Sequence, residues 1–74
     1  MQTRYIIKNE ETGKYLSALN IGATPAIQPM YWRSLPTKAI HFESKEEAEA
    51  TIMFIGAVLD WELEEQLQII EVKY

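Results

Sequence analysis

The segment from Phe42 to Trp61 limits what this chain can fold into more than any other part of it. Ser44 followed three residues later by Glu47 forms a capping box, in which each side chain meets a backbone N–H that the first helical turn leaves without a partner. Beyond the cap runs Ile52, Met53, Phe54, Ile55, Gly56, Ala57, Val58, Leu59, without one polar side chain. The helical repeat puts Ala48, Ile52, Ile55 and Leu59 on one stripe. Ala50, Phe54, Ala57, Val58 and Trp61 gather roughly opposite, with Met53 at the edge. One helix in so small a protein hides one stripe against its own sheet, so a second stripe needs another cover. Either the loop from Leu19 to Pro36, with Ile21, Ile27, Met30 and Leu35, lies over it, or a second copy of the helix does so across a two-fold axis. Gly56 and Ala57 would let such a copy approach closely. In a helix interior Gly56 costs about 1 kcal/mol relative to alanine, so it either admits a close neighbour or marks an early helix end.

The rest of the chain supplies strands. Arg4 to Asn9 is rich in β-formers, and after Asn9-Glu10-Glu11-Thr12-Gly13 the chain resumes with Lys14-Tyr15-Leu16-Ser17, which reads as a β-hairpin. Gly13 suits the positive φ of such a loop, and Asn9 can close a local side-chain turn. Gly22, Pro25, Pro29 and Pro36 break the periodicity of the next segment, leaving Met30-Tyr31-Trp32-Arg33 as a possible short strand. Ala39 to Phe42 is extended or forms a single turn into the cap. The helix runs from Lys45 to about Trp61, Asp60 to Gln66 connects, and Leu67 to Tyr74 is a final strand with Ile70, Val72 and Tyr74 on one face. The expected fold is one α+β domain: a small antiparallel sheet, made by the N-terminal hairpin and the C-terminal strand with or without the short middle strand, packed against one helix.

At 74 residues the chain buries only about 60% of the surface its unfolded form exposes, so its core is marginal. Small domains are commonly reinforced by disulfides, a metal or oligomerisation. With no cysteine and one histidine, disulfides and the usual zinc sites are excluded, which leaves oligomerisation. Met1 to Lys8 holds no apolar run like a signal peptide, and no stretch approaches the roughly 18 apolar residues of a membrane span. A cytoplasmic protein is expected.

The net charge of −4 is unevenly spread. From Met1 to Lys45 the bases Arg4, Lys8, Lys14, Arg33, Lys38 and Lys45 face only Glu10, Glu11 and Glu43. From Glu46 onward Glu46, Glu47, Glu49, Asp60, Glu62, Glu64, Glu65 and Glu71 oppose Lys73 alone. Such polarity steers partners. The acid before Thr51 complements the positive start of the helix. Asp60, Glu62, Glu64 and Glu65 lie where the helix dipole prefers cations, so with Glu71 they form a possible acidic surface for a basic protein partner, or simply face water. None of these carboxylates has calcium-loop spacing, and no cofactor or metal is expected.

His41 is the sole imidazole and has no nucleophile motif around it, so a helix-flanking role outweighs a general base. Tyr31-Trp32-Arg33 has a composition found at stacking sites for nucleic acid and at protein hot spots, while Trp32 also suits a core plug with Arg33 exposed. Overall acidity disfavours direct single-stranded nucleic-acid binding through Lys8, Lys14, Tyr31, Trp32 and Arg33.

Two stretches, Tyr5-Ile6-Ile7-Lys8-Asn9-Glu10-Glu11-Thr12-Gly13-Lys14-Tyr15-Leu16 and Trp32 followed by Ala39-Ile40-His41-Phe42-Glu43-Ser44-Lys45-Glu46-Glu47-Ala48, resemble small uncharacterised proteins common in phages and prophages of Gram-positive bacteria. The resemblance implies a bacterial or phage cytoplasmic setting and an accessory role, and carries over no catalytic residues. The leading expectation is a non-enzymatic interaction module, homodimeric through Met53, Phe54, Ala57, Val58 and Trp61. The alternatives are an acidic inhibitor whose Asp60, Glu62, Glu64, Glu65 and Glu71 mimic nucleic-acid phosphates, and a weak single-strand binder.

Overall fold

A computed structural model describes residues 2–19, 30–59 and 61–73, the side chain of Leu59 excepted. Ile21, Gly22, Pro25, Ile27, Pro29, Asp60 and Tyr74 lie outside the described residues. The chain forms β1 (Thr3–Asn9), β2 (Tyr15–Leu19), β3 (Met30–Arg33), a 3-10 turn (Pro36–Lys38), α1 (Lys45–Phe54), a π-helical turn (Ile55–Leu59), α2 (Trp61–Glu64) and β4 (Leu67–Lys73). The strands make one antiparallel sheet in the order β3-β2-β1-β4. Three strands run as a meander, and the helical connection then returns β4 to the far side of β1, a Greek-key order. The fold is α+β, as its sequence pattern implies.

Local chemistry builds the first hairpin. Asn9 Oδ1 accepts from the N–H groups of Glu11 (2.8 Å) and Thr12 (3.3 Å), and Gly13 takes φ +74°. Backbone bonds close the loop, from Gly13 N–H to Asn9 C=O and from Asn9 N–H to Lys14 C=O, both 2.8 Å. Asn9 is 4% exposed, and its Nδ2 reaches Gln66 Oε1 at 3.3 Å while Glu10 N–H donates to Gln66 C=O at 2.8 Å. One asparagine thus shapes the loop and ties it to the turn before β4.

Beyond Lys8 and Tyr15 the hairpin opens. A bulge between Leu16 and Ala18 bends β2, because an extra residue on one strand disrupts the ladder. The segment after the 3-10 turn fills the gap. Ile40 N–H donates to Leu16 C=O (2.9 Å), and Phe42 and Tyr5 exchange two backbone bonds of 2.8 and 2.9 Å. Ala39 to Phe42 is therefore extended and docks between β1 and β2 as it leads into the helix.

Ser44 Oγ accepts from Glu47 N–H at 3.2 Å, which fixes the start of α1 at the expected residue. Ala48 and Ile55 are fully buried against Ile7 and Leu16, and Tyr5, Leu19, Met30, Trp32, Ile40, Phe42, Ile52, Leu63, Leu67 and Ile69 pack around them. Trp32 joins the core as a half-buried plug, while Arg33 is exposed. The helix does not stay α-helical to Trp61. At Ile55 it widens into the π-helical turn, then resumes as the single turn of α2.

Replacing Asn9 with alanine orphans two loop N–H groups and removes the tie to Gln66, so Asn9→Ala is expected to lower the urea-unfolding free energy by about 1–3 kcal/mol. Glu11→Ala, which removes only an exposed side chain, should stay within about 0.5 kcal/mol of the parent.

Candidate functional site

The segment from α1 to α2 carries the most exposed of the large apolar side chains: Trp61 is 68% exposed, Met53 64% and Val58 62%. Ala50 and Ala57 are exposed beside them, and Phe54 is half-buried. Ala48 and Ile55 are fully buried, whereas Ile52 is half-buried like Phe54, so α1 separates a buried side from Ala50 and Met53, and the regular repeat ends at the π-helical turn that holds Val58. Residues of the Leu19 to Pro36 segment that are described do not cover the outer stripe: Leu19 and Met30 pack inward, and Leu35 is itself 58% exposed.

Gly56 is buried and stands apart from this exposed set. A Cβ at that position would lie 2.9 Å from Cβ of Glu64 and would run into its carboxylate. The close neighbour that glycine admits is α2 of the same chain, not a second helix. The Glu64 side chain thus lies over the π-helical turn, and the missing Cβ lets the chain fold back within a few residues. Wide π turns occur mostly as single-turn irregularities within α-helices.

That fold-back sorts the acidic residues into separate places. Glu62 and Glu65 line an open cleft with Trp61, Gln66, Glu10 and Glu11. The last two come from the β1–β2 loop, brought in by the bonds from Asn9 and Glu10 to Gln66. Sequence spacing conceals this pairing of loop and turn. Glu71 stands elsewhere, on β4 opposite Tyr5, in a depression with Lys45 and Ile69, and Glu64 faces Gly56. Asp60 lies outside the described residues. The four carboxylates around Trp61 give the cleft a strongly negative, partly aromatic character, suited to a cation that can lie against an indole face.

The basic half of the chain gathers differently. Arg33, Ser34, Leu35 and Lys38 line a second depression at the end of β3. Lys8 Nζ stands 6.0 Å over the Tyr15 ring. His41 is half-buried between Ile40 and Phe42, both of which pack on the core, as a helix-flanking residue would be. Among the described residues no three of the His, Cys, Asp and Glu side chains are grouped to hold a metal ion, and no helix is long and apolar enough to cross a membrane.

Because Cβ of Glu64 cannot retreat without moving α2, Gly56→Ala is expected to destabilise despite alanine's better helix propensity. Overpacking costs about 1–3 kcal/mol against a gain of about 1, giving a net loss of up to about 2 kcal/mol in urea unfolding. A more stable Gly56→Ala chain would show that α2 does not press on the π-helical turn.

No protein-family model matches the chain, and neither a curated protein nor a solved structure matches it.

Proposed function

We propose that this chain is a non-enzymatic interaction module that associates with a second copy of itself through Met53, Phe54, Ala57, Val58 and Trp61. One observation carries the proposal: Trp61, Met53 and Val58, all within the segment from α1 to α2, each leave about two thirds of their surface in water. Apolar side chains singly exposed are ordinary, but three large ones within one short segment make a surface that gains from cover. A two-fold contact uses the same patch twice and needs no second gene product. The bacterial or phage setting belongs to the same proposal and rests on the resemblance of the hairpin and cap segments.

Area sets the strength. Stable interfaces remove about 600–1,000 Å² per partner, whereas one aromatic side chain supplies only about 150–250 Å² when fully buried. The three large side chains fall short alone, so the contact extends over Phe54, Ala57 and Ala50, and the dimer dissociates in the range of about 1–100 µM. Light scattering across that range should show the mass rising from one chain to two. Val58→Asp, at an exposed position that the monomer's core does not use, should hold the chain at monomer mass with its fold intact by circular dichroism. A wild type that remains monomeric at all concentrations would overturn the proposal.

The cleft around Trp61 favours a second reading, an acidic inhibitor that occupies the nucleic-acid site of a basic protein. In the folded chain the phosphate mimics are Glu62 and Glu65 with Glu10 and Glu11. Binding to a basic DNA-handling protein should weaken by about tenfold or more between low and moderate salt, since exposed charge pairs are screened. Glu65→Lys should abolish it. Salt-insensitive binding would contradict this reading.

A further inference from the structure

The sheet has two faces, and the α-helices lie on only one of them. Ile7, Leu16, Trp32 and Ile69 face the helical layer and its core. Side chains alternate along a strand, so their neighbours Ile6, Lys8, Tyr15, Tyr31, Arg33 and Ile70 face the other way, where Ile6 is covered at 1% exposure and Lys8, Tyr15 and Ile70 are half-buried. Register then aligns them. Lys8 pairs with Tyr15, and Tyr15 pairs with Arg33, so one row across β1, β2 and β3 reads cation, ring, cation. Tyr31 stands two residues from Arg33 on the same face of β3 and is 37% exposed. Lys38 adds a further cation, lining with Arg33 the depression at the end of that strand. None of the outward strand positions among the described residues bears a carboxylate, because Glu71 faces the helical side opposite Tyr5.

We infer that the end of this face around Lys8, Tyr15, Arg33 and Tyr31 is a binding surface for single-stranded nucleic acid, independent of self-association through the helix. Cations spaced along a row match the phosphates of a strand, and the exposed ring of Tyr31 matches a base that is free to stack. An unpaired strand offers both features at once, whereas a duplex hides its base faces and an acidic peptide lacks them. The net negative charge of the chain does not override this. Its acid is concentrated on the helical layer and the turns around Trp61, and fields between exposed charges fade over roughly 10 Å at moderate salt. The row presents rings and cations and no element built to read the sugar, so DNA and RNA strands bind alike.

The test is fluorescence anisotropy with labelled oligothymidine and oligouridine strands of about twelve nucleotides, at low salt, with the mass of the protein measured in the same samples. Both strands are expected to bind, and three phosphate contacts predict a loss of about twentyfold between 50 and 200 mM salt. Arg33→Glu should weaken binding further at every salt concentration, and Tyr31→Ala by about fivefold or more. Both residues sit on the surface of a short edge strand, and circular dichroism checks that the variants fold. Lys38→Glu, in the 3-10 turn, replaces Arg33→Glu if that variant unfolds. Glu49→Gln, on the far helical layer, should leave binding unchanged. No binding at low salt, tighter binding to a duplex of the same length, or binding indifferent to Tyr31→Ala and to the charge reversal would each overturn the inference.

Discussion

One helix can cover only one face of a four-stranded sheet, and that limit shapes everything else in this molecule. Ala48 and Ile55 meet Ile7 and Leu16 and close a core of very small size. Large apolar side chains between Met53 and Trp61 stay in water, and on the outward face of the sheet Tyr31 and Arg33 are exposed while Ile6 is covered. A larger domain would lay further elements over both. With no disulfide to hold a smaller core, this chain keeps exposed surfaces of opposite character, one apolar with an acidic margin, the other basic with rings.

Two local devices hold the arrangement in register. Asn9 shapes the β1–β2 loop and also bonds Gln66, so the loop and the turn into β4 move as one piece. Gly56 lets Glu64 settle over the π-helical turn, which brings Trp61 and the carboxylates after it to the loop end of the sheet. A self-association through the helix back would give the layer order sheet, helix, helix, sheet, with the basic face of each sheet on the outside.

Much of this is legible in the sequence where a local rule decides the outcome. Asn9 and Gly13 announce the hairpin, Ser44 and Glu47 announce the helix start, and the alternation after Leu67 announces the last strand. The wedge of Ile40 to Phe42 between β1 and β2 is hidden, because it depends on a bulge in β2 more than twenty positions away. The π-helical turn is hidden for a similar reason: glycine at position 56 signals a close neighbour but not which one. Of the acidic residues from Asp60 to Glu71, sequence proximity groups Glu64 and Glu71 with Glu62 and Glu65, and the fold separates them. The cation and ring row across Lys8, Tyr15 and Arg33 exists only once strand register is known, which is why composition alone argued against it.

The central claim is that the helix back is built for contact with its own kind. Isotope-filtered nuclear Overhauser spectroscopy on a mixture of carbon-13-labelled and unlabelled chains tests it most directly, at a concentration where the mass is dimeric. The account predicts cross-peaks between the Met53 and Val58 methyl groups of one copy and the Trp61 ring of the other. Intermolecular cross-peaks confined to the β4 edge or to the sheet, with Trp61 silent, would contradict it.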